Sequence, residues 1–242
     1  TLADSVATSS RAAKAAEDEA PCASVVACAR ARRLEMGARL GGGTHWCMPS
    51  AASLESMMPR NDACTAALEL SAMLRERGHR FRSHGDAETV VHLYEEFGDA
   101  FLLRLEGMFA LALWDRKRGR LLLARDPFGI KPLYYAAGPE RLAFASEVKA
   151  LLGLPGVSRE PDPEAISQYL ANQYVAAPRT FFRDIRKLLP GHKLIVEKGA
   201  VRAERYWDCA EVAPVAGSPE EIRRRVLAAF DDLAAVARDC PP

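Results

Sequence analysis

This chain of 242 residues is defined first by what it has little of. No apolar run approaches the ~18–20 residues that a bilayer-crossing helix needs, so no membrane-spanning segment is expected. Neither charge dominates: Lys plus Arg number 33 against 32 Asp plus Glu. So balanced a chain carries no global field to attract nucleic acid or an anionic membrane, and neither is expected as a partner. The N-terminus lacks the basic-then-apolar pattern of a secretory leader. Cys22, Cys28, Cys47, Cys64, Cys209 and Cys240 form neither a CxxC pair nor a zinc-finger ladder. His45, His79, His84, His92 and His192 likewise show no metal-ligand spacing, and no metal is expected. Reduced thiols in a cytoplasmic protein are the expectation. An initiating Met is missing as well, and the chain stops soon after a helical pattern, from which a fragment is expected.

What is present sharpens along the chain. Residues 1–60, rich in Ala, Ser, Arg and Gly, show little periodicity and read as a diverged N-terminal part. Within them the run 23–29 fits a strand or a helical turn, and Gly41-Gly42-Gly43 marks a turn or a close backbone approach. From Thr65, residues Ala66, Ala67, Leu70, Met73 and Leu74 recur at helical spacing, with Gly78 placed to end the helix. A second helix is expected over 87–97, then a short helical turn over 100–105. The texture changes at Met108. A continuous apolar run over 108–114 suits a strand covered on both faces, and 121–124 is its returning partner. Residues 131–136 and 141–145 form a second expected hairpin, after which Ser146 is expected to cap a helix over 147–152.

Asp162-Pro163 has the form of a helix start, and 194–196 with 203–207 that of a last hairpin. Ser218-Pro219-Glu220-Glu221 is a capping box opening a long helix with Ile222, Val226, Phe230 and Leu233 on one face. Antiparallel hairpins flanked by helices make the chain α+β, divided as 1–60, a core over 61–208 and a C-terminal linking helix over 218–242.

The order of short segments carries a resemblance. RGHRF at 77–81, GDAE at 85–88, GMFALALWD at 107–115, ARDPFGIKPLYY at 124–135, FASEVKAL at 144–151, Pro190-Gly191-His192 and Tyr206-Trp207 follow one another. Together they resemble the N-terminal class-II glutamine amidotransferase (glutaminase) domain of glutamine-dependent asparagine synthetases. The resemblance implies an N-terminal-nucleophile fold, an αββα sandwich of antiparallel sheets between helix layers. It also implies glutamine as substrate and an ammonia-accepting synthetase domain that uses ATP and Mg to make asparagine from aspartate. A homodimer is compatible with it.

Carried over residue by residue, the resemblance gives Asp86 the α-ammonium of glutamine, a charge-assisted contact. A helix N-cap is the plain alternative for the same carboxylate. Arg33, in the pair Arg33-Leu34, would grip the α-carboxylate as a bidentate fork, with a solvated charge as its alternative. Asn61 is the oxyanion-hole candidate, although Asp62 and Ala63 follow it where the family has Gly and Glu. The cysteine nucleophile of such domains has no counterpart at Thr1, so the chain is expected to be inactive by itself. Arg125, Asp126, Ser146 and Glu147 match the family pattern but are explained by turn geometry, a salt bridge and a helix cap. A non-catalytic scaffold domain of an asparagine synthetase-like amide-forming enzyme, or an inactive gene fragment, is the alternative.

Overall fold

A computed structural model describes residues 23–27, 37–39, 64–83, 86–138 and 141–239. Thr1, Arg33, Gly41–Gly43, His45, Asn61, Asp62 and His84 lie outside the described residues, as do Cys22, Cys28, Cys47 and Cys240. Cys209 is a free, exposed thiol. Two antiparallel sheets organise the rest. The first contains β1 (Ala23–Ala27), β3 (Ala110–Asp115), β4 (Arg120–Arg125), β8 (His192–Glu197) and β9 (Ala200–Arg205), in that order across the sheet. The second runs β2 (Gly37–Arg39), β6 (Arg141–Ala145), β5 (Tyr134–Ala137), β7 (Ile185–Lys187).

Strand periodicity explains how these sheets stack. Successive side chains point to opposite faces of a strand, and β3 and β4 bury both. Ala110 and Ala112 of β3, with Leu121 and Leu123 of β4 and Leu194 and Val196 of β8, meet Leu142 and Phe144 of β6 in the layer between the sheets. The alternate residues, Leu111, Leu113, Leu122 and Ala124, face the other way. There they pack under helices α1 (Cys64–Glu76) and α2 (Asp86–Phe97) through Leu74, Val91, Leu93 and Tyr94, joined by Phe101 and Leu102. On the far side of the second sheet, Ala143, Ala145, Ala136 and Ile185 lie beneath Leu151 of helix α3 (Val148–Leu152). Helix, sheet, sheet, helix is therefore the layer order, and it is the αββα arrangement expected from the sequence. Each fully buried Leu contributes about 1.5–3 kcal/mol, and the largest share of them lies on the two faces of the first sheet.

Helix α4 (Pro163–Asn172) begins where Asp162-Pro163 implies, the Asp162 carboxylate accepting from the amides of Glu164 and Ala165. Helix α5 (Pro219–Asp239) opens with the expected capping box: Ser218 Oγ accepts from the Glu221 amide at 3.3 Å, and Glu221 Oε2 accepts from the Ser218 amide at 2.8 Å. No described helix is long and apolar enough to cross a membrane.

Three expectations are corrected and two are settled. The run 23–29 resolves as strand over Ala23–Ala27, paired along its length with β3. Ser146 does not cap α3; Glu147 occupies that position without a side-chain cap, and the Ser146 hydroxyl is buried with no hydrogen-bond partner. The strand expected over 131–136 starts only at Tyr134, because Lys131 belongs to the loop before it. The strand expected over 203–207 is displaced to Ala200–Arg205, and Tyr206 and Trp207 turn back to bond the Gly191 carbonyl instead. The helical turn after α2 is a 3-10 segment, Gly98–Arg104.

Candidate functional site

Four of the segments that carry the resemblance, those around Phe109, Asp126, Gly191 and Tyr206, converge on the loop after β4. The buried Asp126 carboxylate, fully shielded from solvent, accepts three amides: Phe128 and Ile130 on Oδ1 at 3.1 and 3.0 Å, and Lys131 on Oδ2 at 3.0 Å. Its carbonyl accepts the amides of Gly129 and Gly191. Neighbouring Arg125 donates to the carbonyls of Lys131, Leu188 and Gly129. Burial lowers the Arg125 guanidinium, and the adjacent Asp126 opposes that shift. Arg125 therefore fixes backbone rather than making the salt bridge expected from sequence. Tyr206 closes the ring of contacts by donating its hydroxyl to the Arg125 carbonyl at 2.7 Å, and burial pushes its phenol up.

Pro190-Gly191-His192 explains itself in the same place. Gly191 has φ +63, and a Cβ there would meet the Trp207 carbonyl oxygen at 2.4 Å. Only glycine both adopts that backbone and leaves the space. These motifs are thus a folded knot holding β4, β8 and the end of β9 in register.

Beside the knot lies an apolar cleft of about 410 Å³, floored by Asp126 and walled by Leu103, Met108, Phe128, Ile130 and Trp207. Phe128 and Ile130 are exposed there, and the Phe128 and Trp207 rings are 5.4 Å apart. Asp126 turns both carboxylate oxygens to loop amides, and Glu106 is the other carboxylate that lines the cleft.

Asp86 sits elsewhere. It is the first residue of α2, exposed, at the end where a carboxylate is favoured by the helix dipole. It does not line the apolar cleft. Two residues on, in the same turn, Glu88 accepts from the amides of Arg82 and Ser83 and from Ser83 Oγ, at 2.6–2.7 Å. Burial raises the Glu88 carboxyl, but those hydrogen bonds outweigh it and leave it below the usual range. The strand of chain leading into Asp86 is thereby tied to the helix that Asp86 begins. Of the three residues assigned to glutamine from sequence, the structure describes only Asp86; Arg33 and Asn61 lie outside the described residues.

Sequence reasoning missed a cluster two turns further along α2. His79, from the loop after α1, and His92 and Glu95 from α2 bring three potential ligand atoms together. His92 and Glu95 are three residues apart, a spacing that shares one helix face; that spacing was legible, whereas the third member comes from 13 residues upstream.

Known proteins resemble this chain. Residues 58–207 match a family model described as a glutamine amidotransferase domain. A putative glutamine-hydrolysing asparagine synthetase of Mycobacterium bovis is 38% identical over 71% of this chain and 26% of its own length. Asparagine synthetase 3 of Bacillus subtilis is 35% identical over 58% of this chain and 23% of its own. The amidase chyE of Penicillium rubens is 36% identical over 62% of this chain and 23% of its own. The chain spans about a quarter of the length of these relatives.

Proposed function

The chain belongs to the glutamine amidotransferase domain family, and on that premise we propose that its core binds glutamine beside an amide-forming synthetase domain of the asparagine synthetase kind. In this reading Asp86 takes the α-ammonium of glutamine, Arg33 its α-carboxylate, and Asn61 faces the side-chain oxygen as the oxyanion donor. ATP and Mg act in the synthetase domain, which makes asparagine from aspartate with the ammonia released. The observation that carries the reading is the position of Asp86: an exposed carboxylate at the head of a helix whose inner face is anchored on the first sheet. A helix so anchored fixes where that carboxylate stands, which lowers the cost of orienting it toward a substrate cation.

Glutamine binding without turnover is the part of this reading that the residues after Asn61 favour. Asp62 after Asn61 favours the second reading, a scaffold domain without catalysis, because a carboxylate there opposes a developing oxyanion.

Titration calorimetry with glutamine and a coupled assay for glutamate test both parts. Binding of glutamine that Asp86→Ala abolishes, with no glutamate released, is the expected result. Unchanged binding in Asp86→Ala removes that residue from the site, and steady glutamate release removes the claim of inactivity.

A further inference from the structure

The strongest unassigned arrangement in the molecule is the meeting of His79, His92 and Glu95 under Phe81. The two imidazoles turn the same nitrogen, Nδ1, toward one another at 3.2 Å. Glu95 Oε2 completes a triangle, 3.0 Å from His92 Nδ1 and 3.9 Å from His79 Nδ1. Those three separations place a point about 2.0 Å from every corner, the length of a zinc–nitrogen or zinc–carboxylate bond. From this geometry we propose that His79, His92 and Glu95 form a binding site for one divalent transition-metal ion, zinc foremost.

The outer contacts fit the same assignment. A metal-bound imidazole turns its other N–H to a carboxylate or carbonyl, which fixes the ring and strengthens the ligand. His79 Nε2 donates to Glu96 Oε2 at 3.1 Å, and Arg77 Nη1 holds that same carboxylate at 2.7 Å. His92 Nε2 has no hydrogen bond and points toward Glu88 Oε1, 3.7 Å away. Without an ion, His92 Nδ1 has both His79 Nδ1 and Glu95 Oε2 within hydrogen-bond distance and a single proton to offer them. With an ion, both Nδ1 lone pairs and a Glu95 oxygen are used and both Nε2–H groups face carboxylates. Three carboxylates (Glu88, Glu95 and Glu96) border the two imidazoles, and Arg77 is the guanidinium that one of them holds.

His92 is buried and the Phe81 ring stands edge-on to it at 4.7 Å, so one side of the site is closed to water. Glu95 is partly exposed, which leaves a fourth position for a water molecule. Such an ion would join the α1–α2 connection to the middle of α2 and so brace the segment that leads into Asp86. The metal site itself does not rest on the glutamine reading.

Cobalt(II) added to the chelator-treated 242-residue chain, with elemental analysis of the zinc form, tests the site. One ion per chain is expected, with the visible absorption of low-coordinate cobalt and no thiolate charge-transfer band. Glu96→Gln, which keeps the fold and all three ligands, is expected to weaken zinc about 10–100-fold. Glu95→Gln, at a partly exposed position, is expected to abolish stoichiometric binding while circular dichroism stays unchanged. A thiolate band would assign the ion to the cysteines and overturn the proposal. So would equal zinc affinity in the Glu95→Gln and unaltered chains, or no binding at all.

Discussion

Asp99 and Arg120 meet through two parallel hydrogen bonds, Nη1 to Oδ1 at 2.5 Å and Nη2 to Oδ2 at 2.7 Å. The pair ties the 3-10 segment after α2 to β4, and Lys193 of β8 adds a third bond to Asp99 Oδ2 at 2.7 Å. Arg120 also reaches the hydroxyl of Tyr94, which itself donates to the buried Asp115. One network thus links a helix, the turn after it and three strands.

The first prediction concerns acid. The Arg120 guanidinium holds the Asp99 carboxyl down to about 2, with burial opposing and Lys193 assisting. A carboxyl whose folded value lies below its unfolded value of about 3.9 stabilises the fold above that range. The contribution is lost as pH falls from there through about 2. Asp99→Asn is expected to cost about 1.5–3 kcal/mol at neutral pH and to flatten the loss of stability between about pH 4 and pH 2. Urea midpoints measured across that range check it; parallel curves for the two proteins would falsify the assignment.

Asp126 gives a graded pair. Asp126→Ala strands three loop amides and is expected to cost about 2–4 kcal/mol. Asp126→Asn keeps an oxygen for Phe128 and Ile130 but sets a donor against the Lys131 amide, at a cost of about 1–2 kcal/mol. Hydrogen exchange should then quicken at Lys131 and much less at Phe128 and Ile130. Equal losses for the two substitutions would contradict this division of labour between the carboxylate oxygens.

Gly191 and Gly199 separate backbone strain from crowding. Both have positive φ, +63 and +79, but a Cβ meets nothing within 4 Å at Gly199 and meets the Trp207 carbonyl at Gly191. Gly199→Ala is expected to cost about 1 kcal/mol, the conformational term alone. Gly191→Ala adds the displacement of Trp207 and should cost about 3 kcal/mol or more. The prediction fails if thermal unfolding ranks the two variants the other way round.

Ser218→Ala removes the oxygen that accepts the Glu221 amide. About 1 kcal/mol of helix stability should go with it. The loss should be confined to α5, seen as faster exchange at residues 221–222 with β3 and β4 unaltered. A cooperative destabilisation of the whole protein would mean that α5 is coupled to the core.

Much of this fold was legible because its signals are local. The continuous run before Asp115 had to be a two-sided strand, and Asp162-Pro163 and the Ser218 box carry their own start chemistry. Strand β7 was invisible: of its three residues only Ile185 is buried, too short a sample for any period to show. The shifted start of β5 had a different cause, since Asp126 draws Lys131 into its loop through a contact that no propensity encodes. Ser146 looked like a cap because hydroxyls favour that position, yet packing of the second sheet placed it one residue too early and buried it. The assigned glutamine residues were legible only through resemblance. The histidine cluster joins a loop and a helix, and its third ligand becomes apparent only when the chain between them folds back.

Helix α5 holds a last consequence. Its 21 residues form a rod about 31 Å long, rooted at the Ser218–Glu221 box, with Val226 and Phe230 facing solvent. A rod anchored at one end is a lever arm: a tilt of about ten degrees at Ser218 carries the far end about 5 Å sideways. The capping box at its root fixes where the rod begins, and with it how far along the chain everything the rod presents is carried.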